Sequence, residues 1–323
     1  MKKILVTGGC GFILSTFIDH MLKKYPDYSI VNLDALTYAG RLENTERFSK
    51  NPRYTFIKGD VCDRVIVKKA MEGADMVVHG AAETHVDRSI VDAGSFVRTD
   101  VLGTYVMLDA ARQQGVGKFL YVSTDEVYGQ IQDGSFRETH PLKPRNPYSA
   151  AKAGADLLCQ SYFTTHNMPV VITRSSNNFG PYQFPEKLIP VLILNALHNR
   201  PLPIYGKGEN VRDWIYVADN CEAIDTVLHQ GRLGEVYNIG GGNEKPNIEI
   251  AKLVLEIMGK PESLIEFVKD RPGHDMRYSL DSGKVAGLGW KPEHSFEDAI
   301  RRTVEWYVKN ENWWSPIWIR RTG

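Results

Sequence analysis

Residues 2–9 read KKILVTGG. A short apolar, β-branched run that ends on paired glycines is a buried strand entering a tight turn. Residues 15–25 then carry the spacing of an amphipathic helix. Further along, YSIVNLD (28–34), YTFIKGD (54–60), DMVVHGAA (75–82), KFLYVSTDE (118–126) and PVVITRSS (169–176) repeat the strand signature, with room for a helix between each pair. Alternating strands and helices bury both faces of a parallel sheet, and right-handed crossovers wind it on both sides. The predicted fold class is α/β: a doubly wound, Rossmann-like parallel sheet with a smaller mixed α/β lobe for substrate.

The texture changes after about residue 175. Prolines 181, 185, 190, 201 and 203 interrupt the pattern, and glycines gather at 206, 208 and 240–242. Helices are expected near 186–199, 247–258 and 295–310. The division predicted is a first domain over 1–175, a second lobe over 176–314 with the chain free to cross between them, and a tail over 315–323. That tail, SPIWIRRTG, is apolar and then basic.

Bulk properties bound the function without choosing it. At 323 residues the chain exceeds one ordinary core. Lys+Arg and Asp+Glu both total 39, so no net field favours nucleic acid or an anionic membrane. Cys10, Cys62, Cys159 and Cys221 show neither CxxC pairing nor metal-ligand spacing, which suits free thiols in a reducing compartment and predicts no metal. The N-terminal apolar run is too short for a signal peptide, and no stretch approaches the ~18 apolar residues of a membrane span. A cytoplasmic protein is expected.

Gly8, Gly9 and Gly11 sit where the first strand turns into the first helix. Glycines there let the backbone approach a pyrophosphate, which the helix N-terminus stabilises. Asp34 ends the second strand at the distance where a carboxylate accepts from both ribose hydroxyls and repels a 2′-phosphate, which favours NAD over NADP. Asp60 and Val61 end the third strand, facing an adenine, and Ala81 with Ala82 gives the cofactor passage at the fourth. Phe12, Ile13 and Thr99 complete the expected cofactor contacts. A third glycine would fall at position 14, which is Leu14. A leucine there should push the helix outward or force repacking, with binding retained but weakened.

Tyr148 and Lys152 lie four residues apart in PRNPYSAAKAGADLL, on one face of a helix that begins after Pro147. A neighbouring ammonium, with a nicotinamide cation close by, favours phenolate and makes the tyrosine a usable base. Thr124 ends the preceding strand and can hold the same substrate oxygen.

These features resemble the extended short-chain dehydrogenases/reductases that act on nucleotide sugars, along nearly the whole chain to about residue 310. A narrower resemblance, to the dTDP-glucose 4,6-dehydratases, rests on Ser123-Thr124-Asp125-Glu126-Val127-Tyr128-Gly129, on Glu83-Thr84-His85-Val86-Asp87-Arg88-Ser89, and on the run from Ser176-Asn177-Asn178 to Glu186-Lys187. It implies bound NAD, which Tyr148 and Lys152 would also contact, and oxidation at carbon 4 with Tyr148 as base. Glu126 then takes the carbon-5 proton, a protonated Asp125 releases the carbon-6 hydroxyl, and hydride returns to carbon 6. The sequence does not reveal which of the two acids is more buried. For the nucleotide sugar the resemblance implies His85, Thr124, Asn178, Glu186, Lys187, Pro203, Tyr205, Arg212, Asn247, Arg271 and His274. His85 reads equally as a structural hydrogen-bonding group. Asp100 stands where relatives more often carry asparagine, and Ser175 where cysteine is expected. A homodimer is implied through the Tyr148–Tyr162 helix, with Ala150, Ala151, Ala155 and Leu158 suiting either that contact or core packing. Three alternatives stand beside this reading: the same reaction on a UDP-hexose or UDP-N-acetylhexosamine, a 4-epimerase, which needs no acid and base beside Thr124, and a non-catalytic NAD-binding sensor or scaffold, against which the complete Thr124, Tyr148 and Lys152 set with both acids argues.

Overall fold

The apolar runs do form strands, and their order fixes where a ligand can lie. The computed structural model describes residues 2–270 and 273–322. Its strands are β1 (Lys2–Thr7), β2 (Tyr28–Asp34), β3 (Tyr54–Lys58), β4 (Met76–His79), β5 (Lys118–Thr124), β6 (Val170–Ser175), β7 (Asn177–Phe179), β8 (Leu202–Tyr205), β9 (Val211–Tyr216), β10 (Val236–Ile239), β11 (Glu244–Pro246) and β12 (Ile265–Val268). Among the described residues, seven strands form one sheet in the order β10-β6-β5-β4-β1-β2-β3. Every pairing in it is parallel. The order reverses between β1 and β4, so a crevice opens there beyond the carboxyl ends of the strands.

The helices are α1 (Phe12–Lys24), α2 (Arg64–Met71), α3 (Val86–Val91), α4 (Ala93–Phe96), α5 (Gly103–Gln114), α6 (Pro147–His166), α7 (Leu188–Leu197), α8 (Val217–Gln230), α9 (Asn247–Met258), α10 (Gly283–Ala286), α11 (Phe296–Lys309) and α12 (Glu311–Thr322). One face of the sheet buries Phe17, Ile18 and Met21 of α1 with Ile224, Val227 and Leu228 of α8, while the other buries Met107 and Leu108 of α5 with Ala155 and Cys159 of α6. The first helix starts three residues earlier than its periodicity suggests, because Gly11 already has the extended backbone of a cap. A π-helical turn, Val97–Leu102, joins α4 to α5. Such turns bulge a helix locally and re-aim its side chains.

The smaller lobe holds the three-stranded sheet β11-β9-β7 and the pair β12-β8. α7, α9, α11 and α12 pack over it around Leu192, Val254, Ile300 and Trp314. The chain leaves this lobe to place β10 against β6, and again after β12, where Val285 and Trp290 join the core of the large sheet before α11 returns. The stretch read as a tail from 315 is helical to Thr322, and its Trp318 is buried.

α6 is bolted to the sheet by a buried ion pair. The Arg174 guanidinium on β6 donates to both carboxylate oxygens of Asp156, at 2.8 and 2.9 Å, and through Nη1 to the Tyr128 hydroxyl at 2.7 Å. That hydroxyl donates to Asn238 Oδ1 on β10 at 2.8 Å. Arg174 and Asp156 are 2% and 0% exposed, so removing one partner strands a charge in the core. Arg174→Met is expected to lower the unfolding free energy by about 3–5 kcal/mol in urea titrations.

Candidate active site

A cavity of about 490 Å³ lies at the carboxyl ends of β1, β2, β4 and β5. Gly8, Gly11, Phe12, Ile13, Asp34, Asp60, Val61, Ala81, Ala82 and Thr99 line one end, and Thr124, Asp125, Glu126, Tyr148, Lys152, Asn178, Glu186 and Lys187 the other. Two stretches of the sequence chosen for different reasons thus share one hollow.

Gly8 has φ +76°, and a Cβ there would stand 2.9 Å from the Ala81 backbone. The turn can pass β4 this closely only without a side chain. Asp34 accepts from the backbone N–H of Cys10 at 2.9 Å and of Leu36 at 2.8 Å. Burial pushes its carboxyl up, and those two N–H groups oppose the rise. At Asp60 burial also opposes ionisation, but the Cys62 N–H and the Arg98 guanidinium prevail and hold the carboxyl below its ordinary range. Arg98 pairs with Asp60 at 2.8 Å and lines the cavity beside Thr99 in the π turn.

Leu14 is accommodated without a third glycine. It is 4% exposed and packs against Gly80, where a Cβ would sit 2.9 Å from Leu14 Cδ2. The missing side chain has moved from helix to strand, so the expected outward push has a local remedy.

The catalytic candidates are placed by three local devices. Thr124 ends β5 and its Oγ1 accepts from the Glu126 N–H at 3.3 Å, opening the 3-10 turn Asp125–Tyr128. The turn separates the adjacent acids: Asp125 is 2% exposed, whereas Glu126 is only partly buried. Asn146 caps α6, accepting from the Ser149 N–H at 2.8 Å, with Pro147 in the first turn. Its Nδ2 also donates to Glu126 Oε2 at 3.3 Å, so the cap of the tyrosine's helix holds the glutamate. The asparagine–proline pair before Tyr148 is a helix-start signal that could have singled out Asn146 from the sequence. Finally, Lys152 Nζ donates to the Val122 carbonyl at 2.7 Å and lies over the Tyr121 ring.

Electrostatics divide the acids. Burial pushes Asp125 well above the carboxylate range, and the charge of Glu126 adds to the rise. A carboxyl in that state holds its proton and can give it away. Thr124 Oγ1 lies 3.1 Å from Asp125 Oδ1, and Oδ2 is buried without a hydrogen-bond partner among the described residues. Burial pushes the Tyr148 hydroxyl well above the ordinary value, with Glu126 and Asp100 adding to the rise and Thr124 opposing it. Burial likewise depresses Lys152, while Asp100 and Asp156 favour its charge. Lysine alone therefore does not make a phenolate here. Asp100 is pushed up to about 7 by burial, against the pull of Lys152, and accepts from the Glu83 N–H at 2.8 Å. Ser175 donates to Asn220 Oδ1 at 2.8 Å.

The remaining candidates fall into two groups. Glu186 accepts from the Tyr38 hydroxyl at 2.8 Å, Lys187 donates to the Thr84 carbonyl at 2.7 Å, and Asn178 Oδ1 is buried without a hydrogen-bond partner among the described residues. His85 caps α3, accepting from the Arg88 N–H at 3.4 Å, and stands 3.8 Å from Glu186. Tyr38 was not anticipated; it lines the cavity, with the Arg88 guanidinium 3.6 Å from its ring centroid. Pro203, Tyr205, Arg212, Asn247 and His274 are not among the cavity's lining residues. They gather in the smaller lobe. Tyr205 meets His274 edge to face, Arg212 donates to the Val211 and Asp275 carbonyls, and Asn247 donates its backbone N–H to Asn210. His274 is held by Asp270 at 2.7 Å. Arg271 lies outside the described residues.

Filling the hollow of Gly80 should be costly. Gly80→Ala is expected to lose about 1–3 kcal/mol of stability by overpacking. Combined with Leu14→Ala, it should lose less than the sum of the two single changes, measured by urea unfolding.

Residues 5–303 match the family model described as GDP-mannose 4,6 dehydratase. The chain is 53% identical to the low-salt glycan biosynthesis protein Agl12 of Haloferax volcanii, over 95% of this chain and 99% of that one. It is 50% identical to a dTDP-glucose 4,6-dehydratase of Actinoplanes sp., over 97% and 100%. The crystal structure of DesIV, a dTDP-glucose 4,6-dehydratase of Streptomyces venezuelae with NAD and dTDP bound, superposes with TM-score 0.96 at 48% identity, covering 98% of this chain and 99% of that one. With its glycine turn, Thr124, Tyr148 and Lys152 around a single cavity, the chain belongs to the GDP-mannose 4,6 dehydratase family.

Proposed function

We propose that this protein is an NAD-dependent dTDP-glucose 4,6-dehydratase that forms dTDP-4-keto-6-deoxyglucose. The observation that carries the reading is the buried, proton-holding Asp125 beside the more open Glu126. An epimerase has no use for that pair, whereas loss of water across carbons 5 and 6 needs an acid and a base together.

The cavity fits NAD: Gly8 and Gly11 leave room for a pyrophosphate, Asp34 offers a carboxylate to the ribose, and Asp60 with Val61 flanks the adenine end. NAD, when bound, supplies a positive nicotinamide charge and takes up and later returns a hydride. That charge supplies what Tyr148 needs, since burial and two carboxylates otherwise keep its proton on. Tyr148 then takes the proton of the 4-hydroxyl, Thr124 holds that oxygen, and Lys152 braces the tyrosine from its seat on Val122. Oxidation at carbon 4 acidifies the carbon-5 proton, which Glu126 removes under the hold of Asn146. Asp125 gives its proton to the departing carbon-6 hydroxyl.

The first 175 residues serve chiefly the cofactor and the chemistry, and residues 176–314 chiefly the nucleotide sugar. Arg212, buried at 5% exposure, lies close enough to oppose the rise at Asp125, which suits a diphosphate held near the acid pair. Asn178, Glu186 and Lys187 flank the sugar, while Pro203, Tyr205, Asn247 and His274 line the base and phosphate end. His85 steadies Glu186. A cytoplasmic homodimer completes the reading. Ala151 and Ala155 are core residues, but Val97, Leu102 and Leu157 are exposed on adjoining parts of the π turn and α6, an apolar face suited to a second copy. No helix among the described residues is long and apolar enough to cross a membrane.

Incubated without added NAD, the protein is expected to remove one water from dTDP-glucose, read by mass spectrometry. An unchanged mass with a new epimer by NMR would replace the dehydratase with the epimerase. In single turnover, Asp125→Asn and Glu126→Gln should each slow water loss about 10²–10⁴-fold. Parental rates in both would remove the acid–base assignment. Leu157→Glu should shift a dimer toward monomer in light scattering.

A further inference from the structure

α12 lies some three hundred residues along the chain from the glycine turn, yet it is wired to it. The indole N–H of Trp313 donates to Asn44 Oδ1 at 2.8 Å. Asn44 Nδ2 donates to the Cys10 carbonyl at 2.8 Å, and the Cys10 N–H donates to Asp34 Oδ2 at 2.9 Å. Cys10 sits inside the Gly8–Gly11 turn, whose Gly8 and Gly11 line the cavity together with Asp34. Arg41 closes a second path. Its backbone N–H donates to the same Cys10 carbonyl at 2.9 Å, and its Nη1 donates to the Trp313 carbonyl at 2.8 Å.

The chemistry of each link is fixed. An indole N–H can only donate and a carbonyl can only accept, so the Asn44 amide has one orientation that serves both. Trp313 and Asn44 are 8% and 1% exposed, which shields the path from competing water. Packing alone would be satisfied by any large ring, since Trp313 already meets Trp306, Tyr182 and Tyr307. A donor aimed at Asn44 is more than packing requires. Among the described residues that line the cavity, none lies beyond Lys187, so α12 reaches it through intermediate residues.

We propose that Trp313 is a positioning residue for the dinucleotide turn, and that α12 acts through it as a clasp slowing release of the cofactor. The inference rests on the NAD reading above. It answers a need of that chemistry, because the hydride removed from carbon 4 must stay in the site until it returns to carbon 6.

The test uses the purified holoenzyme and exchange of its bound NAD against isotopically labelled NAD. Trp313→Phe keeps a ring but loses the donor, and should exchange about tenfold faster. Asn44→Asp can still accept from the indole but cannot donate to Cys10, and should behave alike. The double variant should be no faster than Asn44→Asp alone, since both act on one path. Affinity for dTDP should stay at the parental value, and the melting temperature of NAD-stripped Trp313→Phe should fall only by the few degrees that one lost buried hydrogen bond accounts for. Unchanged exchange in Trp313→Phe overturns the clasp. Faster exchange accompanied by equal loss of dTDP affinity and of apo-protein melting also overturns it, leaving Trp313 as a core filler. A parental protein that neither carries nor takes up NAD would overturn the cofactor reading itself, before any variant is compared.

Discussion

The ammonium of Lys152 is buried and tied to the carbonyl at the end of β5. An unpaired charge could not survive at that depth, so the surroundings must supply carbonyl, ring face and carboxylates together. Meeting that demand fixes α6 against the sheet, one turn above the Arg174–Asp156 pair. Tyr148 then has no freedom to leave Thr124, and the cap of the same helix reaches Glu126. Tyr148 and Glu126 thus both depend on how one lysine is accommodated.

The same crowding gives each ionisable group a different task. Asp125 and Glu126 are neighbours in sequence, but a short 3-10 turn sends one into the core and leaves the other partly open. Depth then decides which holds a proton, as a matter of solvation and not of chemical type. Tyr148 is held protonated by burial, with Glu126 and Asp100 adding to the rise.

Much of this was legible in the sequence because it depends on local pattern. Strand runs, the glycine turn, Asp34 and the YxxxK spacing each act within a few residues, and the cavity gathers the cofactor and catalytic positions read from them. What could not be read depends on contacts between distant segments. Leu14 is tolerated because Gly80, on another strand, gives up its volume. Tyr148 is pushed up by burial first and then by Glu126 and Asp100, and no spacing reveals that depth. Asn44 and Trp313 look like an ordinary turn residue and an ordinary apolar residue until folding brings them together. The outer group from Pro203 to His274 was chosen by resemblance alone, and it gathers beyond the cavity wall.

The excursion of β10 carries a consequence for how the molecule can be divided. β6 is buried along its whole length, and β10 covers its outer edge. A polypeptide ending at Ser175 would expose a row of unsatisfied backbone groups on an apolar ribbon, the kind of border that sticks to other chains. The second fragment would meanwhile carry an orphaned strand with nothing to join. Each half thus completes the other's surface. Exchange of modules between relatives would have to carry β10 along with the sheet it closes.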